Sequence, residues 1–164
     1  MIPPAQFLEH VIRPTLNCLA VAEPRLGTAA SANLLLGTAI AESNLSALVQ
    51  HGGGPALSMF QIEPATFDDI YERYLRARPG FLIAVQDLRL PALTPMEQLP
   101  ANPFFACAIA RMKFWMAPEP LPAADDIAAL GRYWKDHYNT AGGAGKASHW
   151  ADLYRKHVFA GETP

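Results

Sequence analysis

Apolar residues recur along this chain at intervals of three and four, in runs that proline and glycine cut short. That period gathers them on one face of an α-helix, whereas a strand would need alternation. Phe7, Leu8, Val11 and Ile12 form a first stripe, and Leu16, Leu19 and Ala20 continue it past Pro14, which is expected to end or kink that helix. A second helix is expected from about Ser31 through Ala47, before Gly52-Gly53-Gly54-Pro55 breaks the chain. Phe67, Ile70, Tyr71, Tyr74 and Leu75 make a third stripe, with Asp68, Asp69, Glu72, Arg73 and Arg76 on the other side. Thr66 reads as its N-cap, and Asp69–Arg73 and Glu72–Arg76 as pairs four residues apart. Thr94-Pro95-Met96-Glu97 has the form of a capping box, and Asn102-Pro103 opens a helix with Phe105, Ala108, Ile109, Met112 and Trp115 on its core face. Beyond the proline-rich connection 118–122, Ile127, Leu130, Trp134 and Tyr138 mark a helix that ends at Asn139 and a glycine-rich turn. Trp150, Leu153, Tyr154, His157 and Val158 mark the last one. The run Ala56 to Ile62 either pairs as a strand or lies extended. The fold class is therefore mainly α, with at most a short strand region, in a single domain over residues 1–164.

A chain of 164 residues is long enough to bury roughly two-thirds of its unfolded surface. The net charge of −2, with both signs mixed along the chain, gives no electrostatic footprint for nucleic acid. The last third is locally basic through Arg132, Lys135, Lys146, Arg155 and Lys156, which reads as a solvated helix face. No segment reaches the roughly 18 apolar residues of a membrane span. The start, Met1-Ile2-Pro3-Pro4, lacks the basic and apolar regions of a signal peptide, so synthesis in the cytoplasm is expected. Cys18 and Cys107 sit among apolar neighbours without metal-ligand spacing; buried reduced thiols are expected, with one disulfide as the alternative. The five histidines show no metal spacing either, and Gly52-Gly53-Gly54 lacks the Lys-Ser or Lys-Thr of a phosphate loop.

Glu42 stands out among the carboxylates. Leu35, Thr38 and Ala39 precede it by seven, four and three positions and share its helical face, so the acid lies on a largely apolar surface beside a chain break. Burial there disfavours the charged form and raises the carboxyl pKa, as a general acid near neutral pH requires. From spacing alone, a glutamate reaching out to solvent at a helix end fits equally well.

Three segments resemble the lytic transglycosylase and goose-type lysozyme superfamily. Gly37-Thr38-Ala39-Ile40-Ala41-Glu42-Ser43-Asn44 is similar to its helix ending in Glu-Ser. Ser58-Met59-Phe60-Gln61-Ile62-Glu63-Pro64-Ala65-Thr66 resembles its Gly-Leu-Met-Gln-(apolar)-x-Pro-x-Thr segment. His137-Tyr138-Asn139-Thr140-Ala141-Gly142 resembles its Ala-Tyr-Asn-x-Gly. The order of the three, and the 19 positions from Glu42 to Gln61, tie the likeness to roughly Leu34–Gly145. The chain departs from the pattern in lacking the serine ahead of the second segment and in carrying Ser58 at its glycine position.

The resemblance implies a lysozyme-like domain that cleaves the MurNAc-GlcNAc β-1,4 bond of peptidoglycan as a muramidase or lytic transglycosylase, with no cofactor and no metal. It makes Glu42 the catalytic acid/base and Gln61, Tyr138 and Asn139 contacts to glycan or acid, with Ser58 as a stand-in hydroxyl for the missing serine. Asp68, Asp69 and Glu63 are possible second carboxylates, but none falls on a catalytic position of the family. One carboxylate implies a substrate-assisted route, in which the N-acetyl group stabilises the cation and Glu42 returns as base to the muramic 6-hydroxyl or to water. A phage or prophage product is expected, acting on the cell wall, with other phage virion proteins as candidate partners. The alternative is an inactive lysozyme-like module that binds glycan or forms a structural part of a phage particle.

Overall fold

The computed structural model describes residues 1–139 and 145–159; the turn expected at Gly142 and Gly143, and the end of the third motif, lie outside them. The chain opens with α1 (Pro4–Phe7), which passes through a π-helical segment, Leu8–Ile12, into α2 (Arg13–Ala22). Pro14 therefore neither ends the helix nor leaves it regular. It has no N–H to bond the turn behind it, and the widened π-helical turn falls just ahead of it.

α3 (Ala29–Ser43) starts where the Thr28 hydroxyl accepts the Ser31 N–H at 3.1 Å. It stops short of the expected Ala47, because Asn44 and Leu45 take left-handed φ values of 52° and 49° and turn the chain back. Most of α3 is buried, with Leu34, Leu35, Leu36, Ala39 and Ile40 inside. Gly37 admits Trp150, since a Cβ there would lie 2.0 Å from the indole Cζ2.

Between α3 and the next helix the chain makes only isolated antiparallel bridges, Val49 to Leu57 and Leu57 to Ile62. The expected strand run 56–62 is thus a tight turn closed by reciprocal Leu57 and Ile62 backbone bonds of 2.9 and 2.8 Å. α4 (Pro64–Asp68) follows and continues as a second π-helical segment, Asp69–Leu75. Its N-cap position is Glu63, not Thr66: Pro64 already holds a helical φ at the first position, so the helix begins two residues before Thr66. Asp69 pairs with Arg73 at 3.3 Å, and Glu72 pairs with Arg76.

α5 (Pro79–Gln86) precedes α6 (Gln98–Ala101). The Thr94–Glu97 box forms, with the Thr94 N–H donating to Glu97 Oε2 at 2.8 Å, but it closes a turn ahead of α6 and opens no helix at Pro95. α7 (Pro103–Trp115) is capped by Asn102 Oδ1, which accepts from the amides of Phe104 and Phe105 at 3.2 Å each. α8 (Ile127–His137) and α9 (Ala147–Val158) complete the described residues.

One core runs through the molecule, from Phe7 and Leu16 through Leu35, Phe67 and Phe105 to Trp134 and Trp150. The architecture is mainly helical. Cys107 is buried as expected, but Cys18 is exposed, and both thiols are free. The core stripe of α2 runs through Leu16 and Leu19, which leaves Cys18 on the outer face. Among the described residues no helix is long and apolar enough to cross a membrane.

Candidate active site

The last turn of α3 carries Glu42 into a cleft of about 240 Å³. Gln61, Glu63, Thr66, Lys113, Tyr138 and Asn139 line it with Glu42. Four parts of the sequence therefore meet there: the end of α3, the turn that leads into α4, the last turns of α7 and the residues just after α8. The packing of α3 against α8 and α9, locked by Trp150 at Gly37, sets the distance across the cleft.

Glu42 is only partly open to solvent. Burial raises its pKa to about 7, against the ordinary carboxyl value of 4.5. Two interactions work in the other direction. Trp134 Nε1 donates to Glu42 Oε1 at 3.1 Å, and the Lys113 ammonium adds its charge. Burial outweighs both, which leaves a carboxyl group able to hold a proton near neutral pH and also to release it.

Lys113 is itself partly buried, and burial lowers its pKa while Glu42 and Glu63 oppose that shift. Its Nζ donates to the Tyr138 carbonyl at 2.9 Å and sits 4.0 Å from the centre of the Tyr138 ring. The ammonium is thereby fixed within electrostatic reach of Glu42 and Glu63. Sequence reasoning missed both Lys113 and Trp134. Trp134 reads from the sequence as core, four residues before Tyr138, and its indole N–H meets Glu42 across 92 residues of chain, which no local pattern signals.

Tyr138 is buried, and its hydroxyl does not meet the acid. It donates to the Phe60 carbonyl at 2.7 Å and so ties the end of α8 to the turn that presents Gln61. Burial, then the nearby charge of Glu42, holds the phenol well above its usual pKa. Asn139 lies in the cleft with its Oδ1 accepting from Lys135 at 3.1 Å. Gln61 donates from Nε2 to the Ser58 carbonyl at 2.8 Å, leaving Oε1 as the acceptor for a ligand.

Ser58 is placed differently from expectation. It is 2% exposed and does not line the cleft. Its φ of 68° puts it in the left-handed region, and its hydroxyl accepts the Phe60 N–H at 3.2 Å. The hydroxyl is consumed in holding the turn, as serines in turns commonly are. The left-handed backbone explains why a glycine suits this position and why serine fills it only with that extra bond. Gln61 is left-handed as well, with φ of 48°.

Of the possible second carboxylates only Glu63 reaches the cleft; Asp68 and Asp69 lie on the exposed face of the neighbouring helix. Among the described residues no group of three or more His, Cys, Asp or Glu side chains gathers to hold a metal ion. Comparison with known proteins adds no relative: no family model matches the chain, and neither a curated protein nor a solved structure matches it significantly.

Proposed function

We propose that the chain is a lysozyme-like enzyme that cleaves the β-1,4 bond between MurNAc and GlcNAc in peptidoglycan, as a muramidase or a lytic transglycosylase. The observation that carries this reading is Glu42, a carboxyl group with a pKa of about 7 facing a polar cleft lined by Gln61 and Asn139. An acid of that strength is half-protonated near neutral pH, which suits proton delivery to a glycosidic oxygen followed by proton removal. Lys113 stabilises the ionised form that exists after the first step. The amide oxygen of Gln61 and the side chain of Asn139 are suited to the acetamido groups of the sugar.

A second reading, a catalytically inactive module that binds glycan or belongs to a phage particle, draws on the Gln61 amide being half engaged with its own turn. Clearing of a suspension of purified cell walls separates the two. Wild type is expected to lower the turbidity, Glu42→Gln to leave it unchanged while remaining folded, and Glu63→Gln to keep most of the rate. Binding without clearing by wild type favours the second reading. Equal clearing by wild type and Glu42→Gln refutes the assignment of the acid.

A further inference from the structure

A second cavity, larger than the Glu42 cleft, lies away from it. It is a groove of about 680 Å³ between the start of α3, the last turn of α7 and the proline-rich segment 118–122. Arg111 lies in its wall and is 2% exposed. Its Nε donates to the Leu26 carbonyl at 3.0 Å and its Nη2 to the Arg25 carbonyl at 3.2 Å, while Nη1 has no partner. Among the described residues no carboxylate forms a salt bridge with Arg111, so a guanidinium is buried without a counter-charge. Burial lowers its pKa only to about 10, and the group stays charged at neutral pH.

Other groups adjoin it in the wall. Arg25 has its guanidinium 5.2 Å from the centre of the Trp115 ring, as that of Arg111 is at 5.4 Å. Its charge is already matched by Glu23, to whose carboxylate Nε and Nη2 donate at 2.9 and 3.0 Å. Ala29 and Ala30 bring the N-terminal turn of α3, whose first amides have no partner within the helix. The carboxylate in the wall, Glu119, is directed to His137 at 3.3 Å. The remaining surface is apolar, built by Phe114, Trp115, Leu121 and the prolines.

We infer that this groove binds a small organic carboxylate with an apolar body, its anionic head received by Arg111 and the first turn of α3. The buried guanidinium supplies the counter-charge that a carboxylate needs when it leaves water. The apolar wall disfavours a strongly hydrated multivalent anion such as phosphate. The proposal is independent of the Glu42 reading.

Titration calorimetry with octanoate, octan-1-ol and octylammonium tests it on the whole chain. Octanoate is expected to bind, with the alcohol and the ammonium weaker by about tenfold or more, the difference one charge-assisted hydrogen bond makes. Leu121→Asp, which sets a carboxylate at a partly buried position of the wall, is expected to weaken octanoate while Glu42→Gln leaves it unchanged. Arg111→Gln is expected to abolish binding; if that chain fails to fold, Leu121→Asp carries the test. Equal binding of octanoate and octanol, octanoate binding unaffected by Leu121→Asp, or no octanoate binding at all overturns the proposal.

Discussion

Replacing Glu42 by glutamine should make the protein more stable at alkaline pH, by an amount that depends on pH in a defined way. The folded state holds the Glu42 proton up to about pH 7, while an unfolded chain releases it near 4.5. Between those values the folded state binds more protons than the unfolded state, so stability falls as pH rises through the window and is level above it. The full interval is worth about 3 kcal/mol. Glu42 is partly open to the cleft, and solvent there reduces the realised cost to about 1–3 kcal/mol. Glutamine keeps an oxygen to accept from Trp134 and carries no charge to desolvate. Denaturant unfolding of both proteins at about pH 5 and about pH 8 isolates the effect, because every other titrating group is common to the pair. The variant should gain little at the lower pH and about 1–3 kcal/mol at the higher, or several degrees in Tm for a chain of this size. A difference that is the same at both pH values, or a wild type more stable than the variant at pH 8, would refute the argument that burial raises this carboxyl.

Trp134→Phe removes the hydrogen bond that favours the ionised acid and should move the alkaline limb of the pH–rate profile upward, read from initial rates of cell-wall clearing across pH. Tyr138→Phe breaks the 2.7 Å link to Phe60 and leaves that carbonyl buried; chemical denaturation should show a loss of about 1–2 kcal/mol. Gly37→Ala sets a methyl group against the Trp150 ring and should cost about 2–3 kcal/mol, with the largest increase in hydrogen exchange in α3 and α9.

The helices were legible in the sequence because their stripes are regular: the α7 start at Asn102-Pro103 and the α8 stripe through Trp134 stand as the pattern implies. What escaped were features set by backbone conformation or by contacts distant in sequence. The early end of α3 depends on left-handed Asn44 and Leu45, which no stripe encodes. The start of α4 was governed by Pro64 ahead of a plausible threonine cap. In the cleft, Glu42, Gln61, Tyr138 and Asn139 come together from the positions the motifs mark, whereas Ser58 spends its hydroxyl on its own turn. Lys113 was invisible because it comes from a helix whose pattern speaks only of core, and its role depends on an approach to Tyr138 across 25 residues of chain.

The central claim, that Glu42 cleaves glycan as a lone acid and base, is tested most directly by mass spectrometry of muropeptides released from purified peptidoglycan. Wild type is predicted to release disaccharide fragments, with 1,6-anhydromuramic ends if the muramic hydroxyl takes the cation and reducing ends if water does, and Glu42→Gln to release none. Fragments from the folded variant at the wild-type rate, or none from folded wild type, would contradict it.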